Sequence, residues 1–164
     1  SAWVSSNAGS GARAALAQVR LVVFDWDGTL IDSEDRIVAS MQAAISAVGL
    51  PSRPRPALSN VIGLGLREAL ADLYPEQDED KLTALIEAYR HQFVDANPVP
   101  MEAFAGARES LQWLSGNRLL LAVATGKARR GLERAFDESG FRDFFQDSRC
   151  ADEAASKPDP QMLQ

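Results

Sequence analysis

A chain of 164 residues, 46% hydrophobic and with a formal charge of -6, has room for one ordinary domain with a small inserted lobe and enough apolar content to fold. Its 17 Lys+Arg against 23 Asp+Glu, with no basic run, exclude a general nucleic-acid binder, whose affinity rests on clustered cations. A single cysteine, Cys150, rules out an intrachain disulfide and a cysteine-rich zinc site and suits a reducing cytoplasm, and no apolar stretch approaches the roughly 18 residues of a membrane span.

Residues 1–18, SAWVSSNAGSGARAALAQ, are small and polar without the long apolar centre of a secretory signal, and read as a flexible leader. Arg20 to Phe24 is a short β-branched and aromatic run suited to a central parallel strand. Ile37, Val38, Met41, Ala44, Ile45 and Val48 fall on one helical face, stopped by Gly49 and Pro51. Pro51 to Pro56 reads as a connector. Leu66, Ala69, Leu70 and Leu73 mark a second helix, and Leu82, Leu85, Ile86, Tyr89 and Phe93 give the clearest helical stripe in the chain. Residues 35–97 are therefore predicted to form a helical cap without strands, set into an α/β core made of residues 19–34 and 98–164.

After Asn97-Pro98-Val99-Pro100 the β/α pattern resumes with a helix over 107–114, a Gly116-Asn117 turn and a strand over 119–124. Thr125-Gly126-Lys127 is predicted to open a helix carrying Leu132, Ala135 and Phe136, ended by Gly140. A short third strand is expected within 144–151 and a last helical start at Gln161-Met162-Leu163. Trp26 should face away from its acidic neighbours and pack, and Trp113 should pack beneath the sheet.

Asp25 and Asp27 close the first strand. Like charges at the end of a buried strand cost stability unless a cation or an anionic reaction centre uses them. Ligands of open parallel sheets gather outside the carboxyl ends of strands, so Asp25, Asp27 and Thr125 can converge, with Lys157 as the natural fourth member. Two carboxylates, a hydroxyl and an ammonium suit a divalent cation together with a phosphoryl group. Each residue alone has a plainer reading: an Asp-Gly turn, an N-cap at Thr125, a solvated Lys127, a surface Lys157, an exposed Arg67. His91 lies off the apolar stripe and is assigned no role. Asp32 and Ser33 either line the segment leading to the cap or cap the next helix.

Asp25-x-Asp27-Gly28-Thr29-Leu30, Thr125-Gly126-Lys127 and Lys157-Pro158-Asp159-Pro160 resemble, in order, the first three motifs of the haloacid dehalogenase superfamily. The helical block between the first two is similar to the small cap of its phosphoglycolate phosphatase and β-phosphoglucomutase branch, and residues 61–70 resemble that branch's substrate-facing cap segment. The resemblance implies a Rossmann-like parallel sheet core with an inserted α-helical cap, and a phosphatase of small phosphorylated metabolites such as phosphoglycolate. It implies that Asp25 attacks phosphorus to form an aspartyl-phosphate, and that Asp27 protonates the leaving oxygen and then takes a proton from water. Asp25 and the Asp27 carbonyl would bind Mg²⁺. Gly28, Thr29, Thr125, Gly126, Lys127, Lys157 and, from the cap, Arg67 would contact phosphate or substrate. An acid in the position of Asp27 favours phosphate chemistry over carbon-halogen cleavage.

One departure stands out. The superfamily's fourth motif, a Gly-Asp with further acids, belongs after Lys157-Pro158, and Asp152-Glu153 precedes the lysine. The expectation is a fragment of a longer phosphatase, weakly active or inactive by itself, with a sheet edge open to dimerisation or strand swapping. A phosphosugar mutase and a non-catalytic scaffold are the competing readings.

Overall fold

The computed structural model describes residues 19–97 and 99–164; the leader assigned to 1–18 and Pro98 lie outside the described residues. β1 (Leu21–Phe24) pairs in parallel with β4 (Leu120–Ala124), Leu21 beside Leu120 through Phe24 beside Val123. β4 pairs in parallel with β5 (Asp147–Arg149), from Ala122 beside Asp147 to Ala124 beside Arg149. The order β1-β4-β5 brings the ends of two strands far apart in sequence side by side.

Alternation along the strands divides the sheet into two unlike faces. Leu121 and Val123 are buried in a cluster with Leu111 of α5 (Ala107–Gly116), Leu132 and Phe136 of α6 (Arg129–Ser139), Trp26 and Phe141. Leu21, Val23 and Leu120 are exposed. Parallel sheets are ordinarily covered on both faces, and here the second face and the outer edge of β1 are uncovered among the described residues. Trp113, expected beneath the sheet, is 52% exposed. It sits two residues beyond buried Leu111, about 200° around α5 and hence on its outer side.

Residues 34–96 carry four helices: α1 (Glu34–Ala47), α2 (Arg55–Asn60), α3 (Leu66–Leu73) and α4 (Glu79–His91), the last widening into a π-helical turn over Gln92–Ala96. Ile37, Met41 and Ile45 of α1, Leu70 and Leu73 of α3, and Leu82, Leu85 and Ile86 of α4 form a second cluster, closed by buried Tyr74. Burying one such side chain contributes about 1.5–3 kcal/mol, so the lobe has a core of its own. α2 begins inside what reads as a Pro-rich connector: Pro54 caps it and Pro56 occupies its first turn, where a missing N–H costs nothing.

Two strands absent from the sequence expectation flank the lobe. β2 (Ile31–Asp32) and β3 (Glu102–Ala103) pair antiparallel, so the chain leaves and re-enters the core through one two-residue ladder. Arg36 of α1 reinforces it, donating to the Phe93 carbonyl (3.0 and 2.5 Å) and the Val99 carbonyl (3.3 Å). The short third strand expected within 144–151 is β5, and the helical start expected at Gln161–Leu163 is a 3₁₀ turn over Pro160–Leu163, with another 3₁₀ turn at Arg142–Phe144. Among the described residues no helix is long and apolar enough to cross a membrane.

Candidate active site

Trp26 is the anchor from which the acidic turn is built. Its indole is buried edge-on against Phe136 (5.3 Å), Phe141 (6.2 Å) and Phe145 (6.3 Å), while its carbonyl accepts the N–H groups of Thr29, Leu30 and Ile31. Gly28, at φ 75°, supplies the left-handed residue the reversal requires and donates to the Ile31 carbonyl at 2.9 Å. Asp25 and Asp27, on either side of Trp26, are thus mounted on a turn pinned to the core.

Lys157 Nζ donates to Asp25 Oδ1 at 2.7 Å and to the Ala124 carbonyl at 3.2 Å, joining the ends of β1 and β4. The two side chains are 30% and 34% exposed, so the contact adds at most about 1 kcal/mol to stability and its value lies in position. Asp27 is held on both oxygens: Ser33 Oγ donates to Oδ1 at 2.8 Å and Lys127 Nζ lies 3.4 Å from Oδ2. Ser33 is fully buried, and Asp27 and Lys127 are only 12% and 15% exposed.

Thr125 is buried, but it does not open a helix. Its N–H donates to the Arg149 carbonyl (3.0 Å) and its Oγ accepts the Lys127 N–H (3.1 Å), which folds residues 125–128 into a loop ahead of α6. Gly28 and Thr29 were expected to contact phosphate; their N–H groups are engaged within their own turn. Those of Trp26, Asp27 and Gly126 have no partner among the described residues and are available to an anion. Asp25 Oδ2 and the Asp27 carbonyl are likewise without partners among the described residues, and two oxygens of this kind fit a hard divalent cation.

Arg67 pairs with Glu79, is half exposed, and stands on the wall of the cavity that Asp27 also lines. His91 is exposed beside Asp95 at 3.3 Å. Asp152 and Glu153 are engaged elsewhere: Asp152 Oδ1 accepts the Arg129 N–H (3.0 Å), and Glu153 takes the Arg129 side chain (2.6 Å) and the Cys150 N–H (3.0 Å). This arrangement knits α6 to the segment after β5. Within it, burial pushes the Cys150 thiol up to about 12, partly offset by Arg129, and leaves it inert.

The lobe closes directly on this set. A Cβ built on Gly126 would lie 2.1 Å from the Leu64 carbonyl oxygen and 2.7 Å from that of Gly63. Beside it the Gly65 N–H donates to Ser156 Oγ at 2.9 Å, next to Lys157. A cavity of about 1080 Å³ lies between lobe and sheet, walled by Trp26, Met41, Tyr89 and Phe93 and reaching the polar set through Asp27, Gly126 and Lys127. Asp25, Thr125 and Lys157 are not on its wall.

Ser33 was read only as lining the segment to the cap or capping the next helix, where its side chain makes no cap hydrogen bond, and Arg36 and Ser156 went unassigned in the sequence. A serine six residues after Asp27 carries no pattern of its own, and contacts such as Gly65 to Ser156 join residues 91 positions apart.

Residues 22–164 match the family described as haloacid dehalogenase-like hydrolase. The chain is 33% identical over 147 residues to the probable phosphatase IndB of Dickeya dadantii, covering 87% of this chain and 64% of that protein. It is 32% identical over 152 residues to the phosphoglycolate phosphatase of Pseudomonas putida, covering 88% and 55%. The crystal structure of a hydrolase from Pseudomonas syringae superposes with a TM-score of 0.78 at 24% identity, over 89% of this chain and 67% of that one, a likeness of fold. The chain thus spans between about half and two thirds of the length of these curated relatives.

Proposed function

The chain belongs to the haloacid dehalogenase-like hydrolases, and from that premise we propose that it carries the phosphoryl-transfer site of a phosphatase acting on a phosphate monoester of a small metabolite. Phosphoglycolate, the compound in the name of the P. putida relative, is the reference substrate. The observation that carries this reading is the meeting of Lys157 with Asp25 at 2.7 Å, with Asp27 fixed one residue beyond Trp26.

The Asp25 carboxylate forms a bond to phosphorus as the ester P–O bond breaks, and Asp27 delivers a proton to the leaving oxygen. A water then attacks the aspartyl-phosphate and gives its proton to Asp27, returning Asp25 and releasing phosphate. Lys157 orients the nucleophile and offsets the charge of the phosphoryl oxygens, while the free N–H groups of Trp26, Asp27 and Gly126 face those oxygens. Asp25 and the Asp27 carbonyl would hold Mg²⁺, which would supply charge neutralisation between two anions. Among the described residues no third carboxylate clusters with Asp25 and Asp27, so turnover by this chain is expected to be slow. Release of inorganic phosphate from 2-phosphoglycolate that stops on chelation with EDTA is the expected result; release indifferent to EDTA contradicts the metal assignment.

Ser33 acts through Asp27. Ser33→Ala is expected to lower kcat about tenfold or more, the scale of a lost hydrogen bond to a charged group, with KM little changed. Steady-state kinetics showing an unaltered kcat would remove Ser33 as a positioning residue.

The open edge of β1 is read as a surface for a second copy of the chain. Gel filtration is expected to reveal a dimer whose fraction rises with concentration and falls in Val23→Lys. A monomer at every concentration would contradict this.

A further inference from the structure

Lys127 is fixed at its backbone and loose at its tip. Its N–H donates to Thr125 Oγ at 3.1 Å and its carbonyl accepts from the Ala151 N–H at 2.9 Å, so the main chain is held on both sides. Its ammonium makes no hydrogen bond among the described residues and stands 3.4 Å from Asp27 Oδ2, an ion pair longer than a good hydrogen bond. A lysine head is strongly hydrated and rides on a flexible four-carbon stem, so an ion pair of that length does not by itself decide where the charge sits. The other group against the ammonium is the Phe93 ring, whose centroid lies 5.0 Å from Nζ.

Phe93 is itself held firmly. Its ring stacks on Tyr89, with centroids 5.7 Å apart and planes inclined by 22°, and the Arg36 guanidinium lies 5.1 Å from its centroid. Arg36 also donates twice to the Phe93 carbonyl. The residue belongs to the π-helical turn Gln92–Ala96, a local widening of the kind that recurs at functional sites. An aromatic face suits the ammonium for a particular reason. It attracts the cation through its quadrupole and keeps water from it, yet brings no anion to compete with Asp27. The Lys127 and Asp27 side chains are both largely buried, so the charge stays directed at the acid.

We infer that Phe93 is a positioning residue for proton delivery: its ring holds the Lys127 ammonium against Asp27 Oδ2, and with Ser33 on Oδ1 this fixes the direction in which Asp27 gives its proton to the leaving oxygen. The inference rests on the phosphatase reading above. Phe93 acts through Lys127 and needs no contact with the departing alcohol. As the ester P–O bond breaks, its electron pair stays on the departing oxygen and Asp27 protonates that oxygen. An alkyl oxygen needs the proton, whereas a nitrophenolate, whose charge spreads into its ring, leaves without it. A fault in aiming Asp27 is therefore felt by an alkyl ester and spared by the aryl one, while general loosening of the lobe slows both.

The test compares 2-phosphoglycolate with p-nitrophenyl phosphate in magnesium buffer. Phe93→Leu is expected to lower kcat on 2-phosphoglycolate about tenfold with KM little changed, and on p-nitrophenyl phosphate by less than about twofold, while Phe93→Tyr, which keeps the ring, retains both. Lys127→Met is expected to show the same preference for the aryl ester, and Phe93→Leu added to it to bring no further loss. Reductive methylation of amines, read by mass spectrometry, gives a measure free of turnover: Lys127 is expected to react about fivefold faster in Phe93→Leu, with Lys81 unchanged. Thermal melts identify folded variants, and Phe93→Met, apolar but without a ring, replaces Phe93→Leu if that variant unfolds. Equal losses on the two esters, single losses that multiply in the double variant, or Lys127 labelling unaltered by Phe93→Leu would overturn the positioning role while leaving the phosphoryl site standing. Release of phosphate from neither ester by the unaltered chain would overturn the phosphatase reading, and the role of Phe93 in proton delivery with it.

Discussion

Asp25→Asn is expected to reduce phosphate release by at least about a thousandfold while leaving the fold in place. The amide keeps an oxygen for Lys157 Nζ, which donates to Asp25 Oδ1 at 2.7 Å, but it has no anionic oxygen with which to attack phosphorus. Stability should hardly change. The Asp25 and Lys157 side chains are about one third exposed, and a pair so placed is worth at most about 1 kcal/mol, or roughly 3 °C in Tm for a chain of this size. Kinetics and a thermal melt on the same preparation check both halves. Wild-type turnover in a folded Asp25→Asn protein would remove Asp25 as the nucleophile, and loss of folding would show that its charge serves the structure first.

Gly126→Ala should cost about a hundredfold in kcat/KM, with the protein still folded and its melt lowered by only a few degrees. The φ of Gly126 lies outside the left-handed region, so the backbone accepts alanine, and the added methyl group acts on its neighbours alone. Its position, 2.1 Å from the Leu64 carbonyl oxygen, cannot be reached without lifting the 63–65 segment and with it the Gly65 to Ser156 hydrogen bond. Sheet and lobe remain folded, since neither hydrophobic cluster contains Gly126. Wild-type kcat/KM in this variant would mean that the close seating of the lobe has no part in turnover, and faster proteolysis of the 61–66 segment is the accompanying sign that it has been lifted.

What could be read in the sequence followed from periodicity and punctuation. The stripes of α1, α3 and α4 repeat apolar residues at helical spacing, and β1 and β4 are compact β-branched or leucine-rich runs ending in polar residues, so both layers and their order were legible. Asp25 and Lys157 were legible through the motifs they sit in, and the structure brings them into contact. The β2–β3 ladder was not, because two residues per strand carry no period. Trp113 misled because a large aromatic side chain suggests burial, whereas its angular position on α5 turns it outward. Thr125 misled in another way: a threonine before Gly-Lys looks like a cap, yet its hydroxyl closes a turn before α6 begins. Arg36 and Ser156 act only across the fold and Ser33 reaches back six residues to Asp27, and no local pattern distinguishes such residues from ordinary surface serines and arginines.

The two apolar clusters share no buried residue, and the passage between them is a ladder two residues long. Substitutions within the lobe's core therefore reach the aspartate turn only through the few contacts that join the two, those of the 63–65 segment with Gly126 and Ser156 and of Phe93 with Lys127. Selection can remodel the lobe's core while those contacts are kept. A protein organised in this way is free to drift among neighbouring metabolites on an inherited reaction.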